Sequence, residues 1–209
     1  MISLDPQQQA ARDWFESLRD RICAEFEKIE AEAGSEARFA YTPWDREADG
    51  LAPGEGGGGA DLNPPIPYQE DTDAFHARFR AACAPYGPDI YERYAKWAED
   101  YFYIPHRGVH RGVGGIFYDH LECGDDAEYD RNFAFTQAVG EAFLDIFPQI
   151  VRRRMGLPFT EAEREEQLVW RGRYAEFNLV YDRGTLFGLK PGGNVDAILM
   201  SLPPEAVWN

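Results

Sequence analysis

Residues 106–111 of the chain, which read His-Arg-Gly-Val-His-Arg, place two histidines and two arginines within six positions. An aromatic run precedes them and a glycine-rich apolar segment follows. A spacing of four would put like residues on one helix face, but Pro105, Gly108 and Gly112 disfavour a helix here. The pattern therefore predicts a loop that carries imidazole and guanidinium groups.

Such a loop is suited to an anionic ligand. An arginine presents a fixed fork of donors to a carboxylate, and glycines let the backbone approach a ligand closely. A basic turn that simply faces water is the alternative, because most charged runs are solvated.

Asp61 is a second candidate for chemistry. It opens the segment 61–67, Asp-Leu-Asn-Pro-Pro-Ile-Pro, whose three prolines exclude a helix and an inner strand. A rigid segment of this kind can hold a single carboxylate in a pocket, although an aspartate in this context is more often a turn cap. The four glycines at 56–59 lack the spacing of a phosphate-binding loop or of a dinucleotide fold, which argues against nucleotide binding.

Composition limits the classes of function. The chain has 209 residues, of which 44% are hydrophobic and 14% aromatic, so it is globular. Its formal net charge of −16 repels nucleic acid, and an anionic substrate would need a dedicated arginine pocket. Three cysteines without metal or redox spacing predict no disulfide framework. No signal peptide and no membrane span is visible, so a cytoplasmic protein is expected.

The elements that position these groups are mainly amphipathic helices. Apolar residues recur at intervals of three and four, and Asp5 and Thr160 are typical N-caps. We interpret the three arginines at 152–154 as a solvated helix end that could also meet anionic partners. The predicted helices are 5–33, 70–84, 88–102, 126–147 with a kink or restart at Pro148, and 160 to about 170.

Strands are predicted where alternation is short and bounded by turns. One strand is expected at 37–44 and another at 112–118, after the histidine loop. The last third predicts an antiparallel meander of 174–181, 186–189 and 196–202, because its connections are too short for parallel crossovers. The fold class is therefore α+β, an antiparallel β-sheet flanked by α-helices, in a single domain over 1–209.

Three long blocks, Trp97–Asp119, Arg171–Gly188 and Asp196–Pro204, resemble the oxygen-dependent coproporphyrinogen III oxidases, a family of haem biosynthesis. The runs Asp-Tyr-Phe-Tyr-Ile-Pro-His-Arg-Gly and Arg-Gly-Arg-Tyr-Ala-Glu-Phe-Asn-Leu-Val-Tyr-Asp-Arg-Gly carry most of the resemblance. Residues 57–76 fit the same family. Runs of this length are far more specific than a spaced motif.

The resemblance implies oxidative decarboxylation of two propionates of coproporphyrinogen III to vinyl groups, with molecular oxygen as co-substrate and no organic cofactor. Asp61 would accept the pyrrole N–H groups. His106 would be an acid or base, and His76 and His106 would be candidate ligands of a divalent metal such as iron or manganese. The residues expected to bind substrate are Arg107, Arg111, Arg171, Arg173, Gly192, Gly193 and Asn194. The family resemblance further implies a homodimer formed through 174–208.

The chain departs from the family pattern at one point. An internal block with further strands, two histidines and a substrate arginine is missing near 56–59, and the family's terminal helix is not present after Asn209. An alternative function is therefore a non-catalytic tetrapyrrole-binding or dimerising relative. A metal hydrolase built on His106 and His110 would lack a third ligand at suitable spacing.

Overall fold

The computed structural model describes residues 5–42, 57–119, 121–189 and 194–208. The helices are α1 Pro6–Glu32, α2 Gln69–Cys83, α3 Ile90–Tyr101, α4 Asp126–Arg154, α5 Glu161–Val180, α6 Arg183–Gly188 and α7 Val195–Leu199, with a 3-10 turn at Ala84–Tyr86. The strands are β1 Gly57–Asp61, β2 Tyr103–Ile104, β3 Val109–His110 and β4 Gly115–Asp119. None of the helices in these ranges is long and apolar enough to cross a membrane.

The predicted helix starts are confirmed to within two residues, and those of α1, α4 and α5 are stabilised by a side-chain cap, whereas α2 and α3 begin without one. Asp5 and Thr160 both form capping boxes, in which the side chain accepts from the third backbone N–H of the helix. Asp125 accepts from the backbone N–H of Glu128 at 2.9 Å. The ends are less well predicted, since α4 does not stop at Pro148 but continues to Arg154. Pro148 is buried between Ile146 and Ile150. The proline cannot donate a helical hydrogen bond, but the packing of these buried side chains keeps this turn of the helix in place.

The strands form two antiparallel pairs. In the first, β1 pairs with β4, and Asp61 is opposite Gly115. A Cβ on Gly115 would lie 2.0 Å from the carbonyl oxygen of Ala60, so the close approach of the two strands requires glycine there. In the second, β2 pairs with β3, and the turn between them carries His106 and Arg107. The α+β class with a small antiparallel sheet is confirmed.

The predicted meander at 174–202 is wrong. Residues 174–180 belong to α5, residues 183–188 form α6, and residues 195–199 form α7. The alternation of Phe177, Leu179 and Tyr181 suggested a strand, but such short apolar runs fit either period. Buried Phe177 and Asn178 follow Tyr174 at helical spacing, which is the face that packs. Residues 37–42 are not a strand either, and positions 43 and 44 lie outside the described residues.

The core determines where α5 lies. A main cluster joins α2, α3 and α4 to β4, with Phe75, Phe79 and Tyr118 almost completely buried. A second cluster of Ala98, Phe102, Ile104 and Phe177 attaches α5 to α3 and to the β2–β3 hairpin. The histidine loop is thereby held against α5.

Candidate active site

Asp61 and Arg111 form an ion pair at the point where the two strand pairs meet. Both oxygens of the Asp61 carboxylate accept from Nη2 of Arg111 at 2.9 Å. Arg111 is 7% exposed, so this is a largely desolvated pair. The backbone supports this pairing just beyond β1, since the N–H of Leu62 donates to the carbonyl of Gly114 and the carbonyl of Leu62 accepts from the N–H of Val113.

The guanidinium of Arg111 is fixed by α5. Its Nη1 donates to the side-chain oxygen of Asn178 at 2.7 Å, and Asn178 is itself buried. The rings of Phe102 and Phe177 lie 3.8 Å and 4.9 Å from its central carbon. Sequence reasoning missed Asn178, which would have been visible only if α5 had been predicted as a helix, because it follows Tyr174 by one helical turn.

Two buried polar atoms near this pair have no hydrogen-bond partner among the described residues, namely Nε of Arg111 and the side-chain oxygen of Asn63. The amide nitrogen of Asn63 donates to Asp61 at 2.6 Å. An unpaired buried polar atom costs roughly 1–3 kcal/mol, so two of them around one carboxylate indicate a functional site rather than a purely structural pair.

A cleft of 570 Å³ opens beside Asp61. Its wall is formed by residues 61–68 and by faces of α4 and α5, and most of the lining is apolar. Cations come from two helices, Arg154 of α4 and Arg171 of α5. Within the described ranges, Arg171 has neither an ion pair nor a hydrogen-bond partner, so its donors are available to a ligand. Ligand sites of about 300–1,000 Å³ with an apolar lining and few polar groups are typical of small-molecule binding.

His106 and Arg107 lie in a separate cluster on the surface of α5. Nε2 of His106 and Nε of Arg107 each approach a different oxygen of Glu176 at 2.5 Å, and Nδ1 of His106 lies 2.6 Å from the Tyr181 hydroxyl. Burial alone would raise the pKa of Glu176, but hydrogen bonds from His106 and Arg107 outweigh it and lower that pKa. Glu176 and Tyr181 were not predicted as site residues, and they fix this loop.

His76 lies in another environment, on α2. Its Nε2 is 3.0 Å from the carbonyl oxygen of Val113, which can only accept, so Nε2 donates there, and Nδ1 lies 2.6 Å from the Tyr91 hydroxyl. Both nitrogens of His76 and of His106 thus have protein partners, and no group of three potential ligands occurs in the described part of the chain. As arranged, these residues do not fit a shared metal site.

The remaining predicted residues are scattered. Arg173 lies over the ring of Trp170, 4.7 Å from its centroid. Asn194 caps α7 by accepting from the backbone N–H of Ala197. Gly192 and Gly193 lie outside the described residues, as does the stretch immediately before Gly57 where the internal block is predicted to be missing. The structure therefore brings Asp61, Arg111 and Arg171 together. Arg173 lies elsewhere on α5, and Arg107 lies on the turn between β2 and β3, where it contacts Glu176 of α5.

Known proteins match this chain over most of its length. A family model described as coproporphyrinogen III oxidase matches residues 55–209. The oxygen-dependent coproporphyrinogen-III oxidase of Rickettsia bellii (strain OSU 85-389) is 36% identical over 275 residues, covering 96% of this chain and 98% of the relative. The enzyme of the same name from Rickettsia akari (strain Hartford) is 38% identical over 272 residues, covering 94% and 96%. That from Rickettsia africae (strain ESF-5) is 53% identical over 153 residues, covering 73% of this chain and 54% of the relative.

Some of these alignments are longer than the chain itself. An alignment of 275 positions exceeds the 209 residues of the whole chain by 66, so at least 66 aligned positions contain no residue of this chain.

Proposed function

Because the chain belongs to the coproporphyrinogen III oxidase family, we propose that it catalyses the oxygen-dependent oxidative decarboxylation of coproporphyrinogen III to protoporphyrinogen IX. The single observation that supports this most strongly within the structure is the Asp61 carboxylate, held by buried Arg111 at the wall of an apolar cleft that also contains Arg171.

The proposed reaction balances with oxygen alone as oxidant. Each of two propionate side chains loses its carboxylate as CO2 and a hydride equivalent from the carbon attached to the pyrrole ring, so the two side-chain carbons that remain become a vinyl group. The four electrons released reduce one O2 to two molecules of water. The protein therefore has to bind a polyanion, orient the propionates and exclude bulk water, which a cleft with an apolar lining can do.

We assign Asp61 the role of accepting pyrrole N–H groups. A carboxylate offers about four acceptor positions, and the contacts to Arg111 and Asn63 leave room for a further donor. A fixed negative charge facing the ring centre would stabilise positive charge that develops on a pyrrole during the loss of a hydride equivalent. Arg111 serves this role by holding Asp61.

Arg171 is the cation in the cleft best placed to bind a propionate, since its donors have no other partner in the described residues. Arg107 and Arg173 remain predicted propionate ligands at the periphery, and Arg107 is already bonded to Glu176. The contacts predicted for Gly192, Gly193 and Asn194 would come from the segment just before α7. His106 remains a predicted acid or base, held by Tyr181 and Glu176.

Iron or manganese at His76 and His106 also remains a prediction. Metal binding at His76 would have to displace either the Tyr91 hydroxyl from Nδ1 or the Val113 carbonyl from Nε2, and we derive no step through a metal. Metal content by elemental analysis, together with turnover after exhaustive chelation, tests this prediction directly. Stoichiometric metal whose removal abolishes turnover would support it.

We further propose a cytoplasmic homodimer that uses residues 174–208 and in which each chain is one domain. Exposed apolar side chains in this range support the interface: Leu179, Val180, Leu186, Val195, Leu199, Met200, Val207 and Trp208. Such a surface on a monomer indicates an association site.

Turnover under air is the test of the proposed function. Purified protein is incubated with coproporphyrinogen III, and the oxidised product is measured by fluorescence alongside oxygen consumption. Wild type is expected to form protoporphyrin, and Asp61→Asn and Arg171→Ala to lose at least tenfold in rate. Arg164→Ala, on the same helix but paired with Glu205, is the matched control and should keep wild-type turnover.

Binding of porphyrin without oxygen consumption in the wild type would overturn the proposal and favour the non-catalytic relative. A loss in Arg164→Ala equal to that in Arg171→Ala would show that Arg171 has no specific role.

A further inference from the structure

The last turn of α4 contains three consecutive arginines, Arg152–Arg154, and they differ in what they contact. Arg152 pairs with Glu25 and Glu32 of α1. Arg153 and Arg154 both pair with Asp71 of α2, at 2.7 Å and 2.6 Å. Of the three, Arg154 lines the 570 Å³ cleft beside Asp61. Of the two interpretations of this helix end, solvated or meeting anionic partners, the structure supports the second, since Arg153 and Arg154 pair with the buried Asp71.

The donors of Arg154 are only partly used. Its Nε and Nη2 bind Asp71, and Nη2 also binds Glu70 at 2.9 Å. The guanidinium lies over the ring of Tyr68, 4.0 Å from the centroid, which fixes its plane at the edge of the cleft. Within the described part of the chain, Nη1 has no hydrogen-bond partner, so two N–H donors are available.

The two carboxylates that Arg154 binds have different exposure. The side chain of Asp71 is 4% exposed and that of Glu70 is 68% exposed. A buried ion pair is costly to break, whereas an exposed one contributes little to stability. A carboxylate that enters the cleft can therefore replace Glu70 while Asp71 keeps the guanidinium in place.

We propose that Arg154 is a specificity-determining residue of the cleft, which binds one propionate carboxylate of the tetrapyrrole in exchange for Glu70. This inference rests on the proposed function, since it takes the same cleft as the substrate site. Arg154 from α4 and Arg171 from α5 then contact separate carboxylates, so the cleft selects substrates by the number and spacing of their acidic side chains.

Neighbouring Arg153 provides a matched control. Arg153→Ala and Arg154→Ala each remove one ion pair from Asp71, but Arg153 does not line the cleft. Both variants are expected to lose similar stability in urea denaturation. Only Arg154→Ala is expected to alter ligand binding. Arg154→Lys keeps the charge without the fork of donors and serves if the alanine variant does not fold.

The probe is coproporphyrin III, a stable oxidised form with four carboxylates, compared with mesoporphyrin, which has two. Binding is measured by quenching of tryptophan fluorescence. Arg154→Ala is expected to raise the Kd for coproporphyrin about tenfold and to change that for mesoporphyrin much less. Glu70→Gln removes the internal competitor and is expected to lower the Kd for coproporphyrin about two- to fivefold.

These outcomes separate the inference from the proposed function. An unchanged Kd in Arg154→Ala, or equal effects of Arg153→Ala and Arg154→Ala, would overturn the inference even if the wild type turns over substrate. Arg154-dependent binding without turnover would uphold the inference and overturn the proposed reaction. No binding of coproporphyrin by the wild type would overturn both.

Discussion

At the scale of residues, the site is a chain of buried polar contacts that leads from α5 to the cleft. Asn178 holds Arg111, and Arg111 holds Asp61. Burying charges is costly, so the pair is stable only while each member keeps its partner. The same contact that positions the carboxylate for substrate therefore also contributes to folding.

Replacing Arg111 by methionine should lower the free energy of unfolding by about 3 kcal/mol, because Asp61 is left with a single weak partner in a largely dry site. Urea denaturation measures the loss. The double variant Arg111→Met with Asp61→Leu should recover much of it, since no charge then remains unpaired. Arg12→Met removes an exposed pair with Glu16 and should change stability by less than about 1 kcal/mol. Equal losses from Arg111→Met and Arg12→Met would contradict the burial argument.

The Glu176 cluster predicts a component of acid stability. The folded-state pKa of Glu176 is lowered, so its stabilisation is present above the unfolded value of about 4.3 and is lost as the pH falls below it. Melting temperatures of the wild type between about pH 7 and 3 should therefore decline more steeply than those of Glu176→Gln over the acidic part of this range. Glu161→Gln, at the start of the same helix, is the control and should follow the wild type. Parallel curves for wild type and Glu176→Gln would refute the assignment.

Part of this site could be predicted from the sequence. Asp61 and Arg111 were identified because proline-rich and glycine-rich segments limit the backbone and because the surrounding runs resemble a family. Asn178 and Glu176 could not be found in the same way. Their roles depend on which face of α5 packs against the hairpin, and the predicted strand would have placed these two residues on the same face of a sheet instead.

At the scale of elements, α5 organises the site, and its continuity depends on tertiary contacts. Helices α1 to α4 were predictable because each has a long amphipathic stripe, and in α1 and α4 an N-cap residue agrees with it. The second half of α5 has a short apolar pattern that fits either period, and its attachment to Phe102 and Ile104 decides between them. In the connections between the predicted strands, Asp182 and Asn194 cap the short helices α6 and α7 instead of closing hairpins.

Substitution of Gly172 tests the packing of α5 against the C-terminal segment. Alanine should favour a helix by about 1 kcal/mol over glycine, but a Cβ at Gly172 would lie 2.2 Å from the carbonyl oxygen of Val207. Gly172→Ala should therefore destabilise the protein by about 1–3 kcal/mol and detach the C-terminal segment, whose Val207 N–H binds the carbonyl of Leu168. Thermal unfolding and hydrogen exchange at the Val207 amide measure both effects.

Gly156→Ala is the matched control for this variant, because nothing lies within 4 Å of a Cβ there. Its stability should be unchanged or slightly raised. A stabilised Gly172→Ala, together with fast exchange at the Val207 amide already in the wild type, would show that the C-terminal segment does not pack against α5.

At the scale of the whole molecule, the net negative charge and the exposed apolar surface have opposite effects on association between two chains. The chain carries a formal net charge of −16, yet residues 174–208 present several exposed apolar side chains, among them Met200 at 81% exposure. Association through this surface would bring two strongly acidic molecules together, and their repulsion would weaken a contact that apolar burial stabilises.

Dimerisation should consequently strengthen as salt is added. Between about 20 and 300 mM salt the Debye length falls from roughly 20 Å to below 10 Å, so repulsion between protomers is screened while apolar burial is retained. Light scattering after size exclusion should show a dimer whose dissociation constant decreases over this range. Met200→Glu should weaken the dimer at every salt concentration, whereas Phe15→Glu adds the same charge on exposed α1 and should have a much smaller effect. A monomer at all salt concentrations, or equal effects of the two variants, would exclude residues 174–208 as the interface.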